Sequence, residues 1–269
     1  MTWKRVIISC LDVLLAVYLV LAVTSFNNPD VVETKCVKVG IDISDSNNAG
    51  FLSASEIKFL LEQKGLYPLH KQMKEVNPRK IEESLKKSPF VNTAECFKTK
   101  EGQVLISITQ RMPIVRIKGQ KGNDYYLDDK GGILPKSNYT SDLVIATGNI
   151  NKWYAQYYIT PLSKALMQSE LWSNQIEQIN ILADRGVELV PRMGDHIVYI
   201  GRLPQKGQHP VAEKEIIAFV NKKLERLEKF YRYGLSHAGW NRYEYINIEF
   251  DNQIICKKEV RKLAPPPQP

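Results

Sequence analysis

The N-terminus carries the feature that most restricts how this chain can fold. Residues 6–23 form an apolar run that only Ser9 and Asp12 interrupt. As an α-helix rising 1.5 Å per residue, the run would be ~27 Å long, close to the ~30 Å hydrocarbon core of a bilayer. The run therefore predicts a membrane-spanning helix, and no second run approaches spanning length.

Basic residues set the expected orientation of this helix. Lys4 and Arg5 precede the run, so the positive-inside rule keeps residues 1–5 in the cytoplasm and exports everything after Phe26. A cleaved signal peptide is the alternative, but its apolar region is usually about 7–15 residues long and ends at a small-x-small site. This run is longer and ends in poor sites, so we predict an uncleaved single-pass anchor over residues 6–26.

Asp12 is the unusual residue of the run. A carboxylate at the centre of a membrane helix costs about 2.5–3.5 kcal/mol and by default marks a contact with another helix. Asp12 lies nearer the cytoplasmic end, where snorkelling or protonation lowers that cost. A membrane-helix contact and simple tolerance both stay open.

Composition excludes several classes of protein. With 43% hydrophobic and 25% charged residues among 269, the chain is neither collagen-like nor wholly disordered, and its length allows one to three domains. The net charge of +8 is concentrated in residues 64–121, which hold 13 basic and 5 acidic residues. This local excess is a weak signal for nucleic acid, and the predicted topology places it outside the cytoplasm.

The cysteines do not form a recognisable framework. Four are too few for a disulfide scaffold, and Cys10 lies in the apolar run. The other three, Cys36, Cys96 and Cys256, occupy strand-like segments at core-type positions, where buried free thiols are common. A structural disulfide stays an alternative.

The first exported segment reads as a small α/β module. Residues 36–44 alternate apolar and polar side chains, which predicts a half-buried strand. Ser53 with Glu56 forms a capping box for a first helix. Asn77 with Pro78 has the pattern of a second helix start.

Two further strands complete this module. They are predicted at residues 90–97 and 104–108, with a turn at Glu101 and Gly102. The order β-α-α-β-β resembles a POTRA domain, a polypeptide-binding module with two helices on a three-stranded sheet.

Sequence motifs narrow the resemblance to the bacterial cell-division family FtsQ/DivIB. Residues 81–94, Ile-Glu-x-x-Leu-x-x-x-Pro-Phe-Val-x-x-Ala, are similar to that family's passage from helix to strand. Residues 105–115 are similar to its Glu-Arg-x-Pro strand exit, with Gln110 in place of the usual Glu. Asp128 and Gly131 match its Asp-x-x-Gly turn. We interpret Asp128 and Asp129 as part of a solvated turn and not as a pair of catalytic carboxylates.

The rest of the chain continues the family's layout. The spacing predicts a helix over 153–172, a hairpin over 176–190, a strand over 196–201 and a long helix over 211–231. The fold class is therefore α+β: a single N-terminal transmembrane helix, a POTRA-like β-α-α-β-β domain, then a mixed α/β domain with an antiparallel sheet. The expected boundaries are a cytoplasmic N-terminus (1–5), a transmembrane helix (6–26), a linker (27–34), a POTRA-like domain (35–115), a C-terminal β domain (116–260) and a disordered Pro-rich tail (261–269).

Catalytic patterns are missing from the sequence. The four histidines, His70, His196, His209 and His237, form no two-ligand pair on one helical turn, and there is no Cys-x-x-Cys. The nucleophile motif Gly-x-Ser-x-Gly and phosphate-binding glycine loops are also missing. We therefore expect no enzyme activity, no cofactor, no metal and no small-molecule substrate.

The last hairpin is the best candidate binding surface. A final strand is often an edge strand, whose free backbone groups accept a partner's strand. On its first strand we expect Ile246, Ile248 and Phe250 to face the core and Tyr245, Asn247 and Glu249 to face outward. The predicted partner-binding residues are Tyr245, Asn247, Glu249, Phe250, Asn252, Ile254, Ile255, Cys256, Lys257 and Lys258.

In FtsQ relatives this end of the β domain engages small bitopic coiled-coil proteins. The family's usual Asp-x-Arg-Tyr reads Asn247-Ile-Glu249-Phe250 here. Glu249 replaces an arginine, so the resemblance implies a basic group on the partner opposite Glu249. Lys257 and Lys258 could instead blunt an edge that has no partner.

A basic surface of the POTRA-like module is a second candidate. It could face anionic lipid headgroups, an acidic partner or water alone. Its residues are Lys71, Lys74, Arg79, Lys80, Lys86 and Lys87.

The resemblance implies a non-catalytic divisome scaffold in the bacterial inner membrane, with a cytoplasmic N-terminus, a periplasmic bulk and enrichment at the division septum. Its partners would be FtsB/DivIC-like and FtsL-like bitopic proteins and, through them, the septal peptidoglycan synthase. The alternatives are a membrane-tethered cell-envelope enzyme and a POTRA-containing translocation component.

Overall fold

The structure, a computed structural model, describes residues 3–26, 34–44, 52–119, 122, 124–137, 142–207 and 209–258. The chain folds into two compact units, the first holding helices α1–α3 and the second holding strands β4–β12. The helices are α1 (Trp3–Phe26), α2 (Ala54–Gln63), α3 (Pro78–Leu85), α4 (Lys152–Tyr154), α5 (Thr160–Met167), α6 (Glu170–Gln175), α7 (Glu213–Phe230) and α8 (Ser236–Ala238). The strands are β1 (Lys38–Ser44), β2 (Val91–Lys98), β3 (Gln103–Gln110), β4 (Pro113–Lys118), β5 (Asp124–Asp128), β6 (Ile133–Pro135), β7 (Ile145–Gly148), β8 (Ile176–Ile181), β9 (Gly186–Pro191), β10 (Ile197–Arg202), β11 (Tyr243–Asn247) and β12 (Ile255–Lys258).

The apolar N-terminal run is helical, as predicted. Every side chain from Ile7 to Leu21 is exposed, including Asp12. Among the described residues, no helix combines the length and the apolar character that crossing a membrane requires. The membrane anchor stays a prediction, and the expected linker and Pro-rich tail fall, except for Thr34, outside the described residues.

The POTRA-like module has the predicted β-α-α-β-β order. Its three-stranded sheet has the order β1-β3-β2, so β3, the last strand of this module, lies in the centre of the sheet. The two helices bury their predicted apolar faces, through Ile57 and Leu61 on α2 and Ile81 and Leu85 on α3. Asn77 caps α3, because its Oδ1 accepts a hydrogen bond from the Lys80 backbone N–H at 3.2 Å.

All four cysteines are free thiols. Cys36 and Cys96 are buried in the POTRA-like module, and the Cys36 Sγ donates to the Lys38 carbonyl oxygen at 3.4 Å. Burial, with help from the nearby Glu82 carboxylate, raises the pKa of Cys96 to about 11. A thiol with so high a pKa is protonated at neutral pH and unreactive, which fits a packing role.

The second unit is built on a nine-stranded sheet in the order β12-β11-β10-β9-β8-β7-β4-β5-β6. The expected antiparallel sheet is wrong, because β4 with β7, β7 with β8, and β10 with β11 are parallel pairs. Helices connect β7 to β8 and β10 to β11, and a helical crossover returns the chain to the end of the sheet where the preceding strand began. The sheet is therefore mixed.

The predicted helix over 153–172 is interrupted. α4 continues into a π-helical turn, Ala155–Ile159, before α5 begins, and α6 follows as a separate short helix. Pro161 lies at the start of α5, where its missing N–H removes a regular helical hydrogen bond. The long predicted helix is α7, which buries Ile216, Val220, Leu224 and Leu227 as its spacing indicates.

The Asp-x-x-Gly turn is not solvated at its aspartate. Asp128 is 3% exposed and accepts a hydrogen bond from Arg111 Nε at 2.8 Å. Its second oxygen accepts from the backbone N–H groups of Lys130 at 3.0 Å and Gly132 at 2.6 Å. A Cβ at Gly132 would lie 2.0 Å from the Arg111 guanidinium, so any larger residue here would push that group from its present position. Arg111 of the strand-exit motif and Asp128 of the Asp-x-x-Gly motif therefore form an ion pair that closes the turn.

Gln110, which stands where the family usually has Glu, is also buried. Its Oε1 accepts a hydrogen bond from the Leu52 backbone N–H at 3.0 Å. The amide oxygen can therefore accept the bond that a carboxylate oxygen would accept at this position.

Candidate functional site at the C-terminal sheet edge

Strand β12 is the edge of the nine-stranded sheet nearest the C-terminus. It pairs antiparallel with β11, with Ile246 opposite Cys256, Asn247 opposite Ile255 and Tyr245 opposite Lys257. In the described part of the chain, no strand lies on its other side. About half of its backbone N–H and C=O groups therefore point away from β11, which is the arrangement that strand addition requires.

The pairing register assigns each side chain of the hairpin to one face of the sheet. Residues directly opposite each other share a face, so Cys256 lies on the core face with the buried Ile246. Ile255 and Lys257 share the other face with Asn247 and Tyr245. On this outer face Ile255 is 49% exposed.

The structure contradicts the expected burial of Phe250. Ile246 and Ile248 are buried as predicted, but β11 ends at Asn247 and Phe250 is 45% exposed. The Asn247 Oδ1 accepts a hydrogen bond from the Glu249 backbone N–H at 2.8 Å, which turns the chain out of the strand. The alternation of faces therefore stops before Phe250.

Helix α7 holds the turn between β11 and β12. The Lys223 ammonium is buried, donates to the Glu249 carbonyl oxygen and lies 3.2 Å from Asp251 Oδ1. The Arg226 guanidinium donates to the carbonyl oxygens of Ile248 and Gln253, each at 3.2 Å. These cationic donors bridge both ends of the turn, so they fix where β12 begins.

Asp251 completes this contact with α7. Lys222 Nζ lies 2.7 Å from its carboxylate, and with Lys223 it holds the pKa of Asp251 below the ordinary value. The carboxylate therefore stays ionised at neutral pH.

A polar and aromatic row lies beside the edge on the outer face. The Tyr245 hydroxyl donates to the Glu188 carboxylate at 3.1 Å, and the second oxygen of Glu188 accepts from Asn180 at 2.8 Å. The rings of Tyr199 and Tyr245 stack at 6.4 Å. Burial, and then the Glu188 carboxylate, raise the pKa of Tyr245 above its ordinary value. Tyr245 is therefore a neutral, preorganised aromatic beside β12.

The remaining predicted contact residues lie at or near the edge. Asn252 is exposed in the turn, and Ile254 and Cys256 are half-buried against the core. Lys257 forms an ion pair with Glu244, and Lys258 is exposed. The hairpin brings all ten predicted residues together.

Sequence reasoning missed the α7 residues that position the site. The sequence pattern singled out neither Lys223 nor Arg226 on this long helix. Lys223 follows Val220 by three residues and precedes Leu224, so it lies close to the buried stripe of the helix. That spacing was the one available signal that its ammonium group is buried.

The six residues of the predicted basic surface lie in three different settings. Lys71, Lys74 and Lys80 line one cavity in the POTRA-like module. Arg79 pairs with Glu83 at 2.9 Å along α3. Lys86 and Lys87 are exposed beyond the end of that helix.

Within the described residues, no group of three His, Cys, Asp or Glu side chains could hold a metal ion. His196 is buried, with Nε2 2.6 Å from the Tyr231 hydroxyl. Burial lowers the pKa of His196, so the imidazole is neutral at pH 7 and is part of the core of the second unit.

Comparison with known families identifies both parts of the chain. Residues 34–109 match the model of the POTRA-like domain. Residues 112–257 match the model described as FtsQ/DivIB, C-terminal related. No curated protein matches the sequence.

Proposed function

The chain belongs to the FtsQ/DivIB family, and from this premise we propose that it is a non-catalytic, membrane-anchored scaffold of the bacterial division machinery. It binds FtsB/DivIC-like and FtsL-like bitopic proteins at its C-terminal edge and, through them, helps to recruit septal peptidoglycan synthesis. The family supports the division role, and the open edge of β12 is the observation that carries the binding mode.

Strand addition is the mechanism that the hairpin favours. The outward backbone groups of β12 supply hydrogen bonds worth about 0.5–1.5 kcal/mol each. The described part of β12 spans four residues, Ile255–Lys258, so side chains add to the affinity that its backbone bonds supply. Ile255 offers apolar contact, and Lys257, on the same face of the strand, offers a positive charge.

The anchor supports the same function. The apolar run and the basic residues before it support a single-pass helix with a cytoplasmic N-terminus and a periplasmic bulk. A partner that is also anchored by one helix meets the edge in two dimensions, which raises the effective concentration. Even a weak contact at this edge can then bind a specific partner.

Copurification of the full chain with the FtsB-like and FtsL-like proteins of its own host tests this proposal. Ile255→Asp places a charge on the exposed apolar side chain of the edge, and we expect it to reduce recovery of both partners at least about tenfold. Met167→Asp, at a similarly exposed apolar side chain on α5, is the matched control. Equal recovery with both variants would exclude the edge as the binding surface.

A further inference from the structure

A lysine-lined cavity in the POTRA-like module is not used by the proposed edge interaction. It has a volume of about 280 Å³ and lies between the end of α2 and the start of α3. Lys71, Lys74 and Lys80 line it, and Glu75 is the one acidic side chain among its described lining residues. The formal charges of these described lining residues sum to two positive units, which favours an anionic ligand.

Hydrogen bonds hold the backbone around the cavity in place. Gly65 ends α2 with a positive φ of 65°, and the Leu66 N–H donates to the Leu61 carbonyl oxygen at 2.8 Å. The Lys71 ammonium donates to the Gly65 carbonyl oxygen, which holds this lysine over the cavity. That bond uses one of its three N–H donors and leaves two for a ligand.

The cavity combines cationic walls with apolar side chains. Val76 and Ile81 are buried and line it together with Leu66. The N-terminal turn of α3, an eight-residue helix, lies beside the lysines and adds partial positive charge. Such a site suits a phosphate group that is attached to a less polar body.

Hydrogen bonds place the cavity next to the point where the chain arrives from α1. Cys36 N–H donates to the Lys71 carbonyl oxygen at 2.8 Å, and Met73 N–H donates to the Thr34 carbonyl oxygen at 3.0 Å. The loop that carries Lys71 and Lys74 is therefore bonded to residues 34–36. Since residues 27–34 can span at most ~29 Å, the cavity is held within about that distance of the end of α1.

We propose that this cavity binds the phosphate headgroup of an anionic phospholipid in the membrane that anchors the chain. The inference rests on the proposed membrane anchor, because α1 would hold the lysines beside the headgroup layer. Lysines near an anionic surface contribute about a fivefold gain in affinity each. A lipid fits better than a soluble phosphate, since the tether gives it a high local concentration and its glycerol body meets the apolar side chains.

Hydrogen–deuterium exchange on the full chain in lipid nanodiscs tests the proposal. One set of discs contains phosphatidylcholine alone, and the other contains increasing fractions of phosphatidylglycerol. We expect phosphatidylglycerol to slow amide exchange in residues 64–81 in a saturable way. Phosphatidylcholine discs with millimolar glycerol phosphate form a third arm, which separates a lipid from a soluble phosphate.

Two variants and a control make the result specific. Lys74→Gln with Lys80→Gln removes two exposed charges and keeps the Lys71 bond to Gly65. At about fivefold per lysine, this variant should lose at least about twentyfold in apparent lipid affinity. Adding Lys71→Gln should abolish saturable protection. The control changes three exposed lysines outside this module to Gln: Lys118, Lys152 and Lys214.

Each adverse outcome overturns a different part of the inference. Absence of protection in discs that contain the chain refutes lipid binding at the cavity and leaves the proposed anchor intact. Equal loss in the control variant shows general charge attraction, and protection by glycerol phosphate alone shows a soluble ligand. Failure of the chain to enter discs, seen by size-exclusion chromatography, refutes the anchor and with it the lipid site.

Discussion

Asp128→Asn is expected to destabilise the second unit by removing the charged partner of Arg111. The substitution keeps one oxygen that accepts from the Lys130 and Gly132 backbone N–H groups. The new amide group then takes the place of the oxygen that accepts from Arg111 Nε at 2.8 Å. Two donors face each other, and a largely buried guanidinium loses its carboxylate.

The magnitude follows from the exposure of the pair. Removing one partner from a buried ion pair costs about 3–5 kcal/mol. The Arg111 side chain is 23% exposed and keeps its bond to the Pro89 carbonyl oxygen at 2.9 Å, so the cost falls to the lower end of this range or below it. We expect about 2–3 kcal/mol, which lowers the midpoint of thermal unfolding by about 4–12 °C for a unit of this size.

Intrinsic fluorescence during heating measures this change in the full chain. Trp153, Trp172 and Trp240 all lie in the second unit, so their emission reports its unfolding. Asp124→Asn is the matched control, because its pair with Arg116 is more exposed and should cost less than about 1 kcal/mol. A midpoint for Asp128→Asn within 1–2 °C (about the scatter of such midpoints) of the unchanged protein, or no lower than that of the control, would refute this reasoning.

Three further predictions concern the core and the terminal hairpin. Arg226→Ala removes two bonds that hold the β11–β12 turn, and should speed amide exchange in β12 by about tenfold or more while leaving β8 unchanged. Tyr231→Phe removes the hydroxyl that meets His196, and should lower stability by about 1–2 kcal/mol in chemical denaturation. Burial lowers the pKa of His196, so its contribution to stability is greatest above the unfolded pKa of about 6.5 and falls as the pH drops toward the folded pKa. His196→Gln should therefore flatten the pH dependence of the midpoint in thermal melts from pH 8 to pH 5. An unchanged pH dependence would show that another group is responsible.

Local signals predicted the small module well. Helix α3 begins at a side-chain cap and both helices bury stripes at helical spacing, and these features depend on neighbours within one or two turns. The Asn77 cap and the buried Ile81 and Leu85 of α3 follow directly from that local code.

Long-range features were harder to predict. Parallel pairing of β10 with β11 depends on how α7 returns the chain, which no short motif records. Phe250 continues the alternation of apolar and polar residues in the sequence, but it lies outside the strand because the Asn247 side chain turns the backbone. Asp128 appeared solvated because its partner, Arg111, is 17 residues away in the chain.

Photocrosslinking in the native host tests the central claim, that a partner adds a strand to β12. A photoreactive residue is introduced in the full chain at Ile255 or Lys257 on the outer face, and at Met167 as the control. The account predicts a specific adduct with a small single-span coiled-coil protein at both edge positions and none at Met167. The absence of an adduct at Ile255 and Lys257, or an adduct of equal yield at Met167, would contradict this claim.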